Sequence, residues 1–409
     1  MSAIMARHEA ISGHEARAMS AMKVLHVIPG IAPRYGGPSL AVLEICRRLA
    51  ASGTEPLIAS TDADGKGRLP VTLEQPVDYQ GVPTIFFRRQ WSEAFKYSRP
   101  LAKWLSGCVA DFDAVHIHAI YSHASIAAAA AARRAGVPYV VRPLGSLNPW
   151  ARRHKPARKF VFWHAGVRRM LRGAAAIHYT SLAEQQQAEA ALDLPRGVVI
   201  PLGIDIAAAE GGATDTSRQN DQGDYVLALG RLHPVKGLDL LIDVFVDVVR
   251  REQLSWKLKL VGDGSPDYVE SLKRRVRQRS AEDLVEFAGW LDGSDKESVL
   301  RGASLLAMPS HQENFGLSMF EALGRGIPVL VSDRIDWAGE VAAAGAGWQS
   351  ALDRRCLGEA LASALASRTE RTARGKAGER LVRARFAWPV ITTRLEQLYQ
   401  EIASARGGR

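Results

Sequence analysis

SLLAMPSHQENFGLSMFEALGRGIPVLVSD, residues 304–333, sets two apolar runs on either side of a polar loop and a helix-period stretch. SLLAMPS reads as a buried strand and HQENF as the loop at its mouth. LSMFEALG reads as a helix whose Leu317, Phe320 and Leu323 recur at helical spacing, and PVLVSD as the next strand. Two uninterrupted apolar strands joined by a crossover helix form the repeating unit of a parallel sheet covered on both faces.

The same unit recurs on both sides of this stretch. From Lys23, KVLHVI leads into the helix SLAVLEICRRLAASG, and AVHIHA into HASIAAAAAARRAG; PYVVRP, AAAIHYT and VVIPL follow. Residues 207–224 (AAAEGGATDTSRQNDQGD) have no apolar period and are rich in Gly, Asp, Ser and Thr, which reads as a linker. A second series follows: YVLALG, KGLDLLIDVFVDVVR, KLKLVG, DYVESLKRRVRQRS, VEFAG and then the opening stretch. Residues 354–404 read as helical throughout, with Trp388-Pro389 marking a break before the last helix. The expected fold class is α/β, with two Rossmann-like doubly wound domains in tandem whose sheets meet across a central cleft. The expected boundaries are a disordered extension at 1–22, a first domain at 23–205 joined by a final helix at 389–405, a linker at 206–224 and a second domain at 225–388.

Composition narrows the setting. A chain of 409 residues, 47% hydrophobic, is long enough for two cores. The N-terminus is polar and the alanine-rich run near 124–132 is too short to cross a bilayer, so a soluble cytoplasmic protein is expected. Cys46, Cys108 and Cys356 have neither zinc spacing nor an even count, and read as buried, reduced thiols. The net charge of +10 suggests nucleic acid, an anionic membrane or phosphorylated substrates. Between Arg142 and Arg172 stand nine Lys or Arg and no acidic residue, interleaved with Trp150, Phe160, Phe162 and Trp163. Basic and aromatic residues mixed at helical spacing suit a lipid headgroup layer better than nucleic acid, or else form a solvated helix with its apolar stripe in the core.

Three places carry chemistry. Gly36 and Gly37 follow a strand and precede a helix, where glycine admits a close ligand and the helix offers free N–H groups, although such glycines are often only a turn. GxGxxG is absent here and in VGDGSPD, so a dinucleotide-dependent dehydrogenase loses its main support. Strand YVLALG runs into Arg231-Leu-His-Pro-Val-Lys236-Gly, two cations on a loop at a strand's mouth, which suits a diphosphate. In the opening stretch, an anion on the N–H groups of Phe315, Gly316 and Leu317 would leave Glu313 to reach what the phosphate carries. Glu321, over a turn into the helix, would accept from a ribose diol. His116 and His118 lie two apart on one strand face, where a histidine is most often a satisfied core residue. Asp111 and Asp113 precede a strand and read as a turn, and no required metal is expected.

ENFGLSMFEA with its two glutamates, GRLHPVKG some eighty residues upstream and GGPSLAVLE near the N-terminus together resemble the retaining GT-B glycosyltransferases of family 4. VHIH, VGDG and EFAGW extend the similarity over nearly the whole chain from Lys23. The resemblance implies that Arg231 and Lys236 hold the donor diphosphate, Glu321 the ribose and Glu313 the transferred sugar. Asn314, Phe315, Gly316 and Leu317 would lie at the distal phosphate, with Gly36, Gly37 and Gly262 also near the donor, His118 beside the sugar and His116 structural. It also implies a last helix crossing back to the first domain; domain closure over the donor is expected because neither domain alone holds all the parts.

The activity implied is a metal-independent, retaining hexosyltransferase without a cofactor. It would move a hexose from a UDP- or GDP-linked sugar to a saccharide or lipid-linked saccharide in surface polysaccharide or lipopolysaccharide assembly. Arg142, Trp150, Arg152, Arg153, Lys155, Arg158 and Trp163 are the candidates for acceptor or membrane contact, at the inner face of the cytoplasmic membrane. A GT-B epimerase or phosphorylase, and a non-catalytic nucleotide-sugar binder, are the alternatives.

Overall fold

The computed structural model describes residues 21–147, 156–206 and 224–407. The expected linker, apart from its two ends, and nearly all of the expected N-terminal extension lie outside these residues. The chain divides into two compact units. One takes the residues up to Tyr179, Gln185–Ile200 and Thr392 onward; the other takes Thr180–Glu184 and Pro201–Ile391.

The first unit holds strands β1 (Lys23–Ile28), β2 (Glu55–Thr61), a ribbon of β3 (Ala63–Asp64) and β4 (Gly67–Arg68), then β5 (Pro76–Tyr79), β6 (Val82–Phe87), β7 (Ala114–His118), β8 (Tyr139–Arg142), β9 (Ala176–Tyr179) and β10 (Gly197–Val199). Eight of them form one sheet in the order β10-β9-β8-β7-β1-β2-β6-β5. Only β5 runs antiparallel, on β6 at the edge. Strand order reverses between β1 and β7, so the loops after Ile28 and His118 open at that switch point.

Side chains alternate between the faces of this sheet. On one face Leu25, Val27, Val115, Ile117, Val141 and Ile177 join the main apolar core under the helices Arg99–Cys108 and His123–Arg134. On the other stand His26, His116, His118, Arg142 and His178, all at most 1% exposed. Tyr399, from the last helix (Trp388–Gly407), donates its hydroxyl to the Nδ1 of His116 at 2.8 Å. That helix starts at the Trp-Pro pair, and the helix before it ends at Arg385.

The second unit holds β11 (Tyr225–Leu229), β12 (Lys257–Val261), β13 (Val285–Gly289), β14 (Leu305–Met308), β15 (Val329–Ser332) and β16 (Gly347–Ser350). They form a wholly parallel sheet in the order β13-β12-β11-β14-β15-β16. The helix Leu238–Arg251 lays Leu241, Ile242, Phe245, Val248 and Val249 on Val226, Leu258, Leu260 and Leu305. The switch point lies between β11 and β14. Their following loops are the Arg231–Lys236 segment and the start of the HQENFG segment.

Candidate functional site

In the second unit, backbone contacts stitch the loops around the switch point together. Gly262 has φ 139°, and a Cβ there would lie 1.9 Å from the carbonyl oxygen of Gly230, so only glycine lets the loops after β11 and β12 touch. Gly237 has φ 63°, and a Cβ there would lie 2.2 Å from the carbonyl of Pro309. The N–H of His311 donates to the Val235 carbonyl at 2.7 Å. A small pocket results, lined by Gly230, Arg231, Lys236, Met308, Pro309 and Ser310.

The charged groups meet at this place. Arg231 is exposed, while Lys236 is partly buried and forms an ion pair with Glu313. His233 between them accepts the Val235 N–H on Nδ1 at 3.2 Å, which leaves its proton on Nε2. Burial lowers its pKa, and Arg231 and Lys236 add to the effect. Glu321 forms a second pair, its Oε1 accepting from Lys296 Nζ at 2.8 Å. Lys296 lies in the helix Gly293–Gly302, and beside it Glu297 grips Arg325 with contacts of 2.6–3.0 Å.

Unspent hydrogen-bonding groups surround the pairs. The Nδ2 of Asn314 and the Oγ of Ser310 are buried without a partner among the described residues. Gly316 has φ 77° and opens the helix Leu317–Leu323. The N–H groups of Phe315, Gly316 and Leu317 donate to no protein group among the described residues. With only seven residues, this helix offers its free amides more than a long-range dipole. The ring of Phe315 turns away into a cluster with Phe320, Trp337 and Phe386, so the backbone of Phe315 is its contribution to the site. Asp336 donates its N–H to the Glu313 carbonyl at 3.0 Å and accepts from Ser181 Oγ at 2.6 Å. Its carboxyl pKa is pushed up to about 6, first by burial and then by Glu184 and Glu313.

In the first unit, Gly36 caps and Gly37 begins the helix Gly37–Ala51. His118 is 0% exposed. Its Nε2 lies 3.1 Å from the Nδ1 of His26, and its Nδ1 is buried without a partner among the described residues. His116 and His178 belong to an ordered chain. The Nε2–H of His178 donates to the Ile200 carbonyl at 2.7 Å, so its Nδ1 must accept from the Nε2–H of His116 at 3.2 Å. The Nδ1 of His116 is then left to accept from Tyr399.

Burial holds all four imidazoles neutral, with the pKa of His26 and of His178 lowered to about 3. His26, His116 and His118 offer ligand atoms within 4.8 Å of one another. Both nitrogens of His116 are already engaged, and Arg142, in register with His118, would raise the cost of a further cation. Asp113 caps the strand start by accepting the Lys23 N–H at 2.9 Å, in a turn as its position before β7 implies.

In the basic segment, Arg142 and Trp163 stand apart from the expected headgroup or acceptor contact, and Phe162 and Trp163 follow the alternative of an apolar stripe on the core. Arg142 is buried on the imidazole face, in register with His118, and presents no charge to a membrane or to solvent. Trp163, at the start of a π-turn (Trp163–Val167), is partly buried against the main core; Phe160 and Val161 are the exposed apolar residues of the described part of this segment, at 67% and 61%. Arg168, Arg169 and Arg172 are exposed nearby. Trp150, Arg152, Arg153 and Lys155 lie outside the described residues, as does the side chain of Arg158 in the helix Pro156–Phe162. Among the described residues no helix is long and apolar enough to cross a membrane.

Sequence reading missed Lys296, His26, His178, Tyr399 and Asp336. Each lies far in sequence from the residue it serves, and no local spacing marks it.

Two family models match in succession: one described as glycosyl transferase 4-like domain over residues 36–203, the other as glycosyl transferases group 1 over residues 214–380. The chain is 26% identical over 330 residues to the D-inositol 3-phosphate glycosyltransferase of Frankia alni, covering 73% of this chain and 77% of that one. It is 38% identical over 116 residues to the mannosylfructose-phosphate synthase of Agrobacterium fabrum, a match covering 27% of this chain and 26% of that one. Among solved structures, the Anabaena HepE protein in complex with UDP and glucose superposes with a TM-score of 0.73 at 21% identity, covering 93% of this chain and all of that one.

Proposed function

The chain belongs to the group 1 glycosyltransferases, family 4, with the two-domain GT-B fold, and from that premise we propose that it is a retaining hexosyltransferase using a nucleoside-diphosphate sugar. The observation that carries the donor class is the convergence of Arg231, Lys236, the orphaned Asn314 amide and the free N–H groups of residues 315–317 at one switch point. Cations and unspent donors around a small pocket suit a diphosphate. A structural neighbour crystallised with UDP-glucose supports the same class.

In this reading the lysines exchange partners. Lys236 holds Glu313 until the diphosphate arrives, and then turns to the phosphate and frees Glu313 for hydroxyls of the sugar. Lys296 holds Glu321 in the same way until the ribose diol takes the carboxylate. As the anomeric C–O bond breaks, charge grows on the leaving diphosphate, and Arg231, Lys236 and the amides stabilise it. The acceptor hydroxyl attacks from the face the diphosphate leaves, and its proton passes to that phosphate. Configuration is thereby retained without a carboxylate nucleophile and without a metal.

The acceptor, a saccharide or lipid-linked saccharide of surface polysaccharide or lipopolysaccharide assembly, is assigned to the first unit. Phe160, Val161 and the exposed arginines near them fit an anionic bilayer at the inner face of the cytoplasmic membrane.

Incubation with UDP- and GDP-hexoses, in chelator, should release free nucleoside diphosphate from one donor and give a product of unchanged anomeric configuration. Absence of release from every donor, inversion, or a strict need for Mg²⁺ or Mn²⁺ would each remove the corresponding part of the proposal. Vesicle co-sedimentation should rise with anionic lipid content; indifference to it removes the membrane contact.

A further inference from the structure

At the switch point of the first unit, the loop after β7 carries a histidine that the donor chemistry does not use. His123 follows His118 by five residues and begins the helix His123–Arg134. Two bonds fix it to the loop after β6: its own N–H donates to the Phe95 carbonyl at 2.9 Å, and its Nδ1 accepts the Ser98 N–H at 3.2 Å. A backbone N–H can only donate, so the imidazole proton sits on Nε2. Among the described residues no protein group takes that proton, and the half-buried ring does not seal it from solvent.

Aromatic faces surround this donor. The Tyr97 ring lies 4.3 Å from the His123 ring between centroids, and that of Phe95 lies 5.9 Å away. Phe95 in turn stacks on Phe162 at 4.8 Å. The loop after β1 joins the same rim, where Lys96 sits 4.6 Å over the Tyr35 ring and Tyr35 donates to Glu93 at 2.6 Å. The rings of Phe95, Tyr97 and His123 are all partly exposed. A hydrogen-bond donor of fixed direction beside half-exposed aromatic faces, at the mouth of a parallel sheet, is a combination that suits a pyranose: its C–H face lies on a ring and a hydroxyl oxygen accepts the proton.

We propose that Tyr97 and His123, with Phe95 behind them, form a subsite for the pyranose ring of the acceptor, in which neutral His123 donates from Nε2 to a hydroxyl oxygen. The assignment of that sugar as acceptor rests on the glycosyl-transfer reading, whereas binding itself does not.

The test uses the full chain labelled with ¹⁵N-histidine, with the His123 resonances assigned by their loss in His123→Phe. Methyl glycosides of glucose, mannose and galactose are titrated separately. The free protein should show the Nε2–H tautomer of His123, and at least one glycoside should shift it saturably, with the shift lost in Tyr97→Ala. The Nδ1–H tautomer, no response to any glycoside, or an equal response in Tyr97→Ala would overturn the subsite.

With a donor that turns over, His123→Phe should raise the acceptor KM about tenfold relative to the donor KM, the value of one lost hydrogen bond, and His123→Gln should restore part of it. Equal change in both KM values would overturn the acceptor assignment. Glycoside binding at His123 without turnover of any nucleotide sugar would leave the subsite standing and remove the glycosyl-transfer reading instead.

Discussion

The imidazole face of the first sheet and the mouth of the second are both rich in polar side chains, yet they follow opposite rules. His26, His116, His118 and His178 are closed off and neutral, and two of them are ordered by a proton chain that ends on a backbone carbonyl. Arg231, Lys236, Glu313 and Glu321 remain exposed or partly exposed, and three of the four are held in ion pairs that a ligand can take over. A buried network specifies one packing because every unmet bond is costly, whereas a hydrated pair is weak enough to be exchanged. A polar residue near a strand end is therefore no signal of function until its burial is known.

The largest expected effect separates the two regions by pH. The native pKa values of the four imidazoles lie below the unfolded value of about 6.5, so below that pH the unfolded chain binds more protons. Their stability contribution is complete above about 6.5. It declines as pH falls below that value, for His26 and His178 down to about 3, by about 1 kcal/mol per pH unit for each imidazole. Asp336 has the opposite sign: with its pKa raised to about 6, its protonation favours the second unit as pH falls. Hydrogen exchange between pH 7 and 4.5 should show the strands around His116 losing protection before those around Leu306, and the reverse order would break the contrast.

Next in size is the loss of a site cation. Arg231→Ala or Lys236→Ala should lower kcat/KM by about a hundredfold or more, with little change in the thermal midpoint for the exposed Arg231. A loss of only a few fold would place the diphosphate elsewhere. The smallest effect sharpens the buried side. Tyr399→Phe leaves the Nδ1 of His116 without its donor and should cost about 1–2 kcal/mol in urea unfolding, with donor KM unchanged.

Much of this molecule is legible along the chain. Apolar runs such as KVLHVI and SLLAMPS mark strands because both faces of a parallel sheet must be apolar, and the glycines at 237 and 316 mark the loops at their mouths. Arg231, Lys236, Glu313 and Glu321 were legible because each stands beside a strand or helix that the pattern already marks. Arg142 and Trp163 misled for the same reason in reverse. Arg142 was legible as the end of the strand PYVVRP but not as a buried charge, and Trp163 as part of a basic and aromatic stretch but not as a ring partly packed on the core. Lys296 and Tyr399 carry no local signal, since each meets its partner only after residues 25 and 283 positions apart are brought together.

By itself, then, the sequence determined the doubly wound pattern and the loops that carry charge, because periodicity and glycine placement are local properties of a chain. Tertiary structure alone decided which polar groups are sealed and which are offered. Burial, tautomer and pairing depend on what the fold packs against each side chain, and Arg142 beside His118, or His123 beside Tyr97, acquires its chemistry only there.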